Sequence, residues 1–91
     1  METNKIDSSK IKFLEVKDLI EVFGSRSSID KMRAERLLPI PVCPYGRRIM
    51  WPEHEINKIK LFIAAGLNKK ELYEKVLEIE ADRSKLLVDI N

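Results

Sequence analysis

Two groups of residues in the middle of the chain have the types and spacing needed to bind a polyanion. The first group is Arg26, Ser27, Ser28, Asp30, Lys31 and Arg33, and the second is Tyr45, Arg47 and Arg48. Arginine and lysine neutralise phosphates, and the arginine fork reaches two oxygens at once. Short hydroxyl and carboxylate side chains hydrogen-bond to base edges in a duplex groove. The chemistry indicated is non-covalent recognition of nucleic acid, although a solvated basic surface would have the same composition.

The basic residues are concentrated in the centre of the chain. The whole sequence has a net charge of only +2, from 17 Lys and Arg against 15 Asp and Glu. Residues 24–60 carry eight basic and four acidic side chains, a net charge of +4, whereas residues 1–23 and 61–91 each sum to −1. The small net charge says little about binding partners, but the distribution of charge predicts that an anionic partner would bind the central segment.

The sequence lacks the residue sets that enzymes and metal sites need. One cysteine, Cys43, and one histidine, His54, exclude an internal disulfide and a Cys/His zinc site. Paired carboxylates, a nucleophile with a base and a Gly-rich phosphate loop are also missing. We interpret Cys43 as a packing residue and His54 as a surface residue. The expectation is a protein that is not an enzyme and uses no metal and no cofactor.

Length and hydropathy predict one small domain. Ninety-one residues with 44% hydrophobic side chains can form a single small core. No run approaches the ~18 apolar residues of a membrane span, and the first residues lack the apolar block of a signal peptide. We therefore expect a cytoplasmic protein without membrane contact. Residues 1–12 are polar and are predicted to form a flexible tail.

The first group of candidate residues falls on the second of two predicted helices. An apolar face of Val16, Leu19, Ile20 and Phe23 indicates an amphipathic helix that ends at Gly24. A second helix is predicted from about residue 26 to 36, with an N-terminal serine cap and a polar outer face. Two helices joined by so tight a turn form a helix-turn-helix, but similar turns occur in many all-α proteins.

The second group falls on a predicted β-hairpin. Three prolines between residues 39 and 44 exclude a helix, and we predict strands at 40–43 and 47–51 around a turn at 44–46. A hairpin that directly follows a helix-turn-helix is the wing of a winged-helix domain, and its tip carries Tyr45, Arg47 and Arg48. Two solvated arginines on an ordinary hairpin are the alternative.

Two further helices complete the predicted domain. Pro52 suits the first position of a helix that ends at Gly66, and Asn68 with Glu71 forms a capping box for a last helix. The last helix is predicted from Lys69 to at least residue 82, and its apolar stripe is interrupted by Arg83. Beyond residue 79 this stripe has no evident partner. It either pairs with a second copy of the chain or folds back on its own domain.

The order and motifs of these elements resemble the AlpA-like and phage excisionase group of small winged-helix proteins. The matching segments are Gly24-Ser25-Arg26-Ser27-Ser28-Ile29, Leu38-Pro39-Ile40-Pro41-Val42, Gly46-Arg47 and Trp51, within residues 13–63. Residues 59–72 are similar to the third and fourth helices of the related MerR superfamily. The likeness ends before the long dimerisation helix of those regulators, so we predict no metal or drug sensing.

The resemblance implies a mainly α fold with a small β-hairpin, in which residues 13–66 form a winged helix-turn-helix and residues 67–91 a C-terminal helix for packing or oligomerisation. It implies a double-stranded DNA-binding protein of phage or mobile-element type, located with the bacterial nucleoid, that acts as a transcriptional regulator or as an excisionase (a recombination directionality factor). Its implied DNA contacts are Arg26, Ser27, Ser28, Lys31 and Arg47. Charge adds Arg33 and Arg48 to this set.

Asp30 departs from the family pattern. Its carboxylate repels phosphate, so it either accepts a hydrogen bond from a cytosine amino group or holds Arg26 or Arg33 in place. Predicted partners besides DNA are a second copy of the chain, an integrase or RNA polymerase. The alternative function is an adaptor that docks on such a protein through its C-terminal helix.

Overall fold

The computed structural model describes the backbone of residues 11–90 and their side chains, except those of residue 45 and residues 87–90. The predicted tail thus lies outside the described residues apart from its last two. In chain order the elements are β1 (Phe13–Leu14), α1 (Val16–Phe23), α2 (Arg26–Ala34), β2 (Val42–Tyr45), β3 (Arg48–Pro52), α3 (Glu53–Ala64) and α4 (Lys69–Ile90). The fold is mainly helical with a small antiparallel sheet, as the sequence predicted.

The break between α1 and α2 follows from two local residues. Gly24 adopts φ 104°, and its N–H donates to the carbonyl of Ile20 at 2.7 Å. Glycine adopts this left-handed conformation without the steric cost of a Cβ. Ser25 then caps α2, because its Oγ accepts the N–H of Ser28 at 3.1 Å. The predicted end of one helix and start of the next are both confirmed.

The predicted end of α2 was wrong by two residues. Helical geometry stops at Ala34, and Arg36 takes φ 60°. The N–H of Arg36 bonds to the carbonyl of Arg33, and the N–H of Leu37 to that of Met32. This hydrogen-bond pattern is the Schellman motif, which normally has glycine at the left-handed position. An arginine there gave no sequence signal that the helix ends.

The sheet has three strands in the order β1-β3-β2, one more than the predicted hairpin. In β1, Phe13 pairs with Pro52 and Leu14 with Trp51. The hairpin itself is present, with Val42 opposite Met50 and an irregular register toward the turn. Its first strand begins two residues later than predicted. The backbone of Ile40 is not available for strand pairing, because both its N–H and its carbonyl bond to side chains of α4.

The core is centred on Trp51, which is fully buried and donates its indole N–H to the carbonyl of Pro39 at 2.8 Å. Every described helix contributes at least one apolar residue to this core. The buried apolar residues are Leu19, Ile29, Leu37, Leu38, Trp51, Ile56, Ile59, Leu72, Val76 and Ile79. Burial of this set is the main stabilisation of the fold. It also holds α2 and the hairpin against one common support.

As far as Arg83, α4 is held to its own domain, which is one of the two predicted arrangements. Arg83 forms two hydrogen bonds with Glu55, at 2.8 and 2.7 Å, and a third with the carbonyl of Ile40 at 2.7 Å. Glu80 accepts the N–H of Ile40 at 2.9 Å. Beyond Ile79 the contacts with the domain are thus made by polar side chains, which the apolar stripe did not predict. At the start of α4, the predicted capping box of Asn68 and Glu71 is confirmed.

None of the described helices combines the length and the hydropathy that a membrane-spanning segment requires.

Candidate nucleic-acid interface

The outer face of α2 brings together four of the predicted contact residues. Arg26, Ser27, Asp30 and Lys31 are all exposed to solvent. The buried Ile29 anchors the opposite face of the helix in the core. Because residues three and four apart share a helix face, these four side chains form one polar surface about one turn and a half long.

Ser28 does not belong to this outer surface. It is half-buried, and its Oγ accepts the hydroxyl of Ser25 at 3.0 Å while its N–H donates to the same oxygen. Its hydrogen bonds therefore stabilise the beginning of α2. The hydroxyl of Ser27 is 3.2 Å from that of Ser25, but Ser27 itself is exposed.

The structure pairs Asp30 with Arg26. The closest approach of the two side chains is 3.9 Å, and they are 60% and 70% exposed. A long, solvated ion pair of this kind contributes little to stability. Its effect is local, because it offsets the negative charge of Asp30 on an otherwise basic surface. Either side chain can leave the pair at low cost when a ligand approaches.

Arg33 lies apart from the outer face. Its guanidinium carbon is 5.7 Å from the ring centre of Trp51, within the range of a cation–π contact. Since Trp51 is at the centre of the core, Arg33 faces the sheet side of α2. Its contribution to the molecule therefore includes covering the indole ring.

The two hairpin arginines have different environments. Arg47 is exposed in the turn beside Gly46, which has φ 55°. Arg48 donates to the carboxylate of Glu15 at 2.6 Å, linking β3 to the start of α1, although its side chain stays 65% exposed. Tyr45 closes β2 opposite Arg48, and its side chain lies outside the described set.

Lys31 and Arg47 are the most available cations of this surface. Among the side chains that the structure describes, no carboxylate lies within ion-pair distance of either group. An ammonium and a guanidinium without an internal partner can bind phosphate without first breaking an ion pair. The geometry thus provides one such cation on α2 and another at the hairpin turn.

Sequence reasoning missed the buried ion pair that anchors α4. Glu55 is 2% exposed, and its hydrogen bonds with Arg83 raise the pKa of that guanidinium. A signal was present, because Arg83 interrupts the apolar stripe of the last helix at a position that faces the domain. A charged residue on such a face requires a buried partner.

Two interpretations of single residues were wrong. Cys43 is exposed and does not pack in the core. His54 is half-buried, and its Nδ1 is enclosed without a hydrogen-bond partner among the described residues. Burial lowers the pKa of His54, since a charged imidazole is poorly solvated there. In the described part of the chain no group of three or more His, Cys, Asp or Glu side chains could hold a metal ion.

No protein-family profile, curated protein or solved structure matches this chain at a significant level. The resemblance to the AlpA-like and excisionase group therefore stays a prediction that depends on the motifs quoted above.

Proposed function

We propose that this protein is a sequence-specific double-stranded DNA-binding protein without catalytic activity, built as a winged helix-turn-helix. α2 enters the major groove, and the hairpin turn contacts the phosphate backbone or minor groove. The observation that carries the proposal is the exposed polar face of α2, with an available lysine, supported by the same core as a hairpin with an available arginine at its turn.

The dimensions of α2 support groove binding. Its nine residues span roughly 13 Å at the usual helical rise, enough to follow several base pairs. The major groove is about 12 Å wide and accepts one helix. Short side chains such as Ser27 on the outer face allow a close approach, while Arg26 and Lys31 reach farther toward base edges or phosphates. Asp30 is suited to accept a hydrogen bond from a cytosine amino group.

Two biological roles use this binding mode. In one, the protein binds a promoter as a transcriptional regulator; in the other, it lines up along a recombination site and directs an integrase toward excision. One small module makes few phosphate contacts, so we expect cooperative binding to repeated sites in either role. A tandem arrangement of binding motifs would favour the excisionase role.

The decisive experiment selects duplexes from a random pool with the purified chain, then measures binding of the enriched motif over a range of salt concentrations. We expect Lys31→Ala and Arg47→Ala each to weaken binding and to reduce the slope of log K against log salt by about one. Lys31→Ala should also relax the motif, whereas Arg47→Ala should preserve it if the turn contacts phosphates only.

Lys70→Ala is the matched control. It removes one exposed positive charge from α4, which is not part of the proposed surface, and should leave both affinity and motif unchanged. No enrichment from the pool at low salt would refute the proposal, as would equal losses in all three variants.

The adaptor function has support from a different surface. Tyr73 and Leu77 lie one turn apart on α4 and are 39% and 41% exposed. Two neighbouring apolar side chains on a helix are able to contact another protein, although the area they expose is small. A chain that fails to bind DNA but retains a partner through these two residues would support the adaptor.

A further inference from the structure

An open cavity of about 280 Å³ lies beside the C-terminal end of α2, outside the proposed DNA-binding face. It combines two cations with an apolar floor. The lining residues are Arg33, Arg36, Leu38, Pro39, Ile40 and Pro41. This composition differs from that of a phosphate-tracking surface, because the floor presents hydrocarbon rather than hydrogen-bond donors.

Arg36 occupies a backbone position that is unfavourable for it. Its φ of 60° lies in the left-handed region, where an L-residue costs roughly 1–2 kcal/mol. The same hydrogen-bond motif ends α3, where the left-handed residue is Gly66. Among the described residues Arg36 is the one non-glycine with positive φ. Glycine would adopt this conformation without strain, so the presence of arginine points to a function for its side chain.

The other side of the cavity is fixed before any ligand arrives. Arg33 is held over the ring of Trp51. The backbone of Ile40 is held at both its N–H and its carbonyl by Glu80 and Arg83, while its side chain remains 53% exposed. A large apolar side chain held outward on a rigid backbone loses little entropy when it binds a partner.

From these observations we propose that the cavity binds an acidic peptide segment of a partner protein. The two guanidinium groups receive an Asp or Glu carboxylate of the partner, and an apolar neighbour of that residue packs on Ile40 and Pro41. The guanidinium group of arginine matches the two oxygens of a carboxylate. The apolar floor favours a peptide over a nucleic-acid backbone, because a peptide can place an apolar side chain next to its carboxylate. This site does not depend on DNA binding by α2.

Two carboxylates beside the lining residues of the cavity already have partners. Glu35, next to Arg36 in the chain, pairs with Lys69 at 3.3 Å. Glu80 accepts the amide N–H of Ile40. Neither Arg33 nor Arg36 has a carboxylate within ion-pair distance among the side chains that the structure describes. Both cations are therefore free for a carboxylate from outside.

The test is an NMR titration of the whole chain with the blocked peptide acetyl-Gly-Leu-Asp-Leu-Gly-amide. We expect saturable shifts of the Ile40 methyl groups and of the amides around Arg36, with a dissociation constant on the order of 1 mM. The peptide with Asn in place of Asp should bind at least about tenfold more weakly, because a charged hydrogen-bond acceptor has been lost.

Arg36→Gly is the diagnostic variant, since glycine suits the local backbone and the fold should persist. It should lower peptide affinity about ten- to hundredfold. Lys31→Ala, which removes a cation from the outer face of α2, should leave peptide affinity unchanged. The proposal is overturned by an absence of saturable shifts, by equal binding of the Asn peptide, or by full affinity in Arg36→Gly. It is also overturned if duplex DNA shifts the same resonances and displaces the peptide.

Discussion

Two regions of the molecule use basic side chains in opposite ways. In the α2–hairpin region, residues 25–50, Lys31 and Arg47 are exposed without a described ion partner. In the α3–α4 region, residues 53–86, Arg83 is held by the buried Glu55 and by a backbone carbonyl. Exposed charges bind ligands readily because no internal contact is lost, whereas buried, paired charges fix the position of a helix. The charge of a residue therefore predicts its role only once its partners are known.

The largest effect should come from breaking the buried pair. Arg83→Ala leaves the carboxylate of Glu55 buried without a counter-ion, and we expect a loss of about 3 kcal/mol in the free energy of unfolding. Urea denaturation measures this change. Lys85→Ala removes a solvated pair with Asp82 on the same helix and should change stability by less than about 0.5 kcal/mol. Similar small effects of both substitutions would show that the buried pair does not hold α4 in place.

The next effect concerns the start of α2. Ser25→Ala removes the oxygen that accepts the N–H of Ser28 and should cost about 1 kcal/mol of stability. Ser25→Asp retains an acceptor at the cap and favours the positive end of the helix dipole, so it should stay close to the native value. Thermal unfolding of both variants provides the measurement. Equal destabilisation by alanine and aspartate would mean that the cap does not support this helix.

The two helix ends give a direct comparison between the regions. Gly66→Ala places a side chain at φ 88° and should cost about 1 kcal/mol, although its Cβ would meet no atom within 4 Å. Arg36→Gly relieves the same strain at the end of α2, but glycine also raises the conformational entropy of the unfolded chain. We expect a net stabilisation of about 0.5 kcal/mol. Denaturation midpoints test both. A loss of stability in Arg36→Gly would show that its side chain supports the fold instead of serving a ligand.

The smallest effect is a pH dependence in the α3–α4 region. Burial lowers the pKa of His54 in the folded state, with opposing contributions from Glu55, which raises it, and from Lys58 and Arg83, which lower it. The unfolded chain therefore binds a proton at His54 more readily than the folded chain. The contribution of neutral His54 to the free energy of unfolding is complete above pH ~6.5 and is lost as the pH falls below that value. Between about pH 7.5 and pH 5, the free energy of unfolding should fall less in His54→Gln than in the native chain. Identical pH profiles would contradict this account.

Local signals explain why much of the helical framework could be predicted. Gly24 and Ser25 separate α1 from α2, and Asn68 with Glu71 begins α4, because the hydrogen bonds involved join residues within four positions of each other. The polar face of α2 could be predicted for the same reason, since helix periodicity assigns residues to faces. Arg36 shows the limit of such signals. Its left-handed conformation ends α2 without a glycine, next to Leu37, which is buried in the core.

The sequence by itself determined the order of helices, the helix ends marked by glycine or a capping side chain, the hairpin and the outward face of α2. These features depend on backbone sterics and on hydrogen bonds between near neighbours. Only the tertiary structure decided that β1 joins the sheet, that Arg48 binds Glu15, that Arg33 covers Trp51 and that α4 is held to its own domain by Arg83. Each of these contacts joins residues at least 18 positions apart, and their energies depend on burial and distance, which no local pattern encodes.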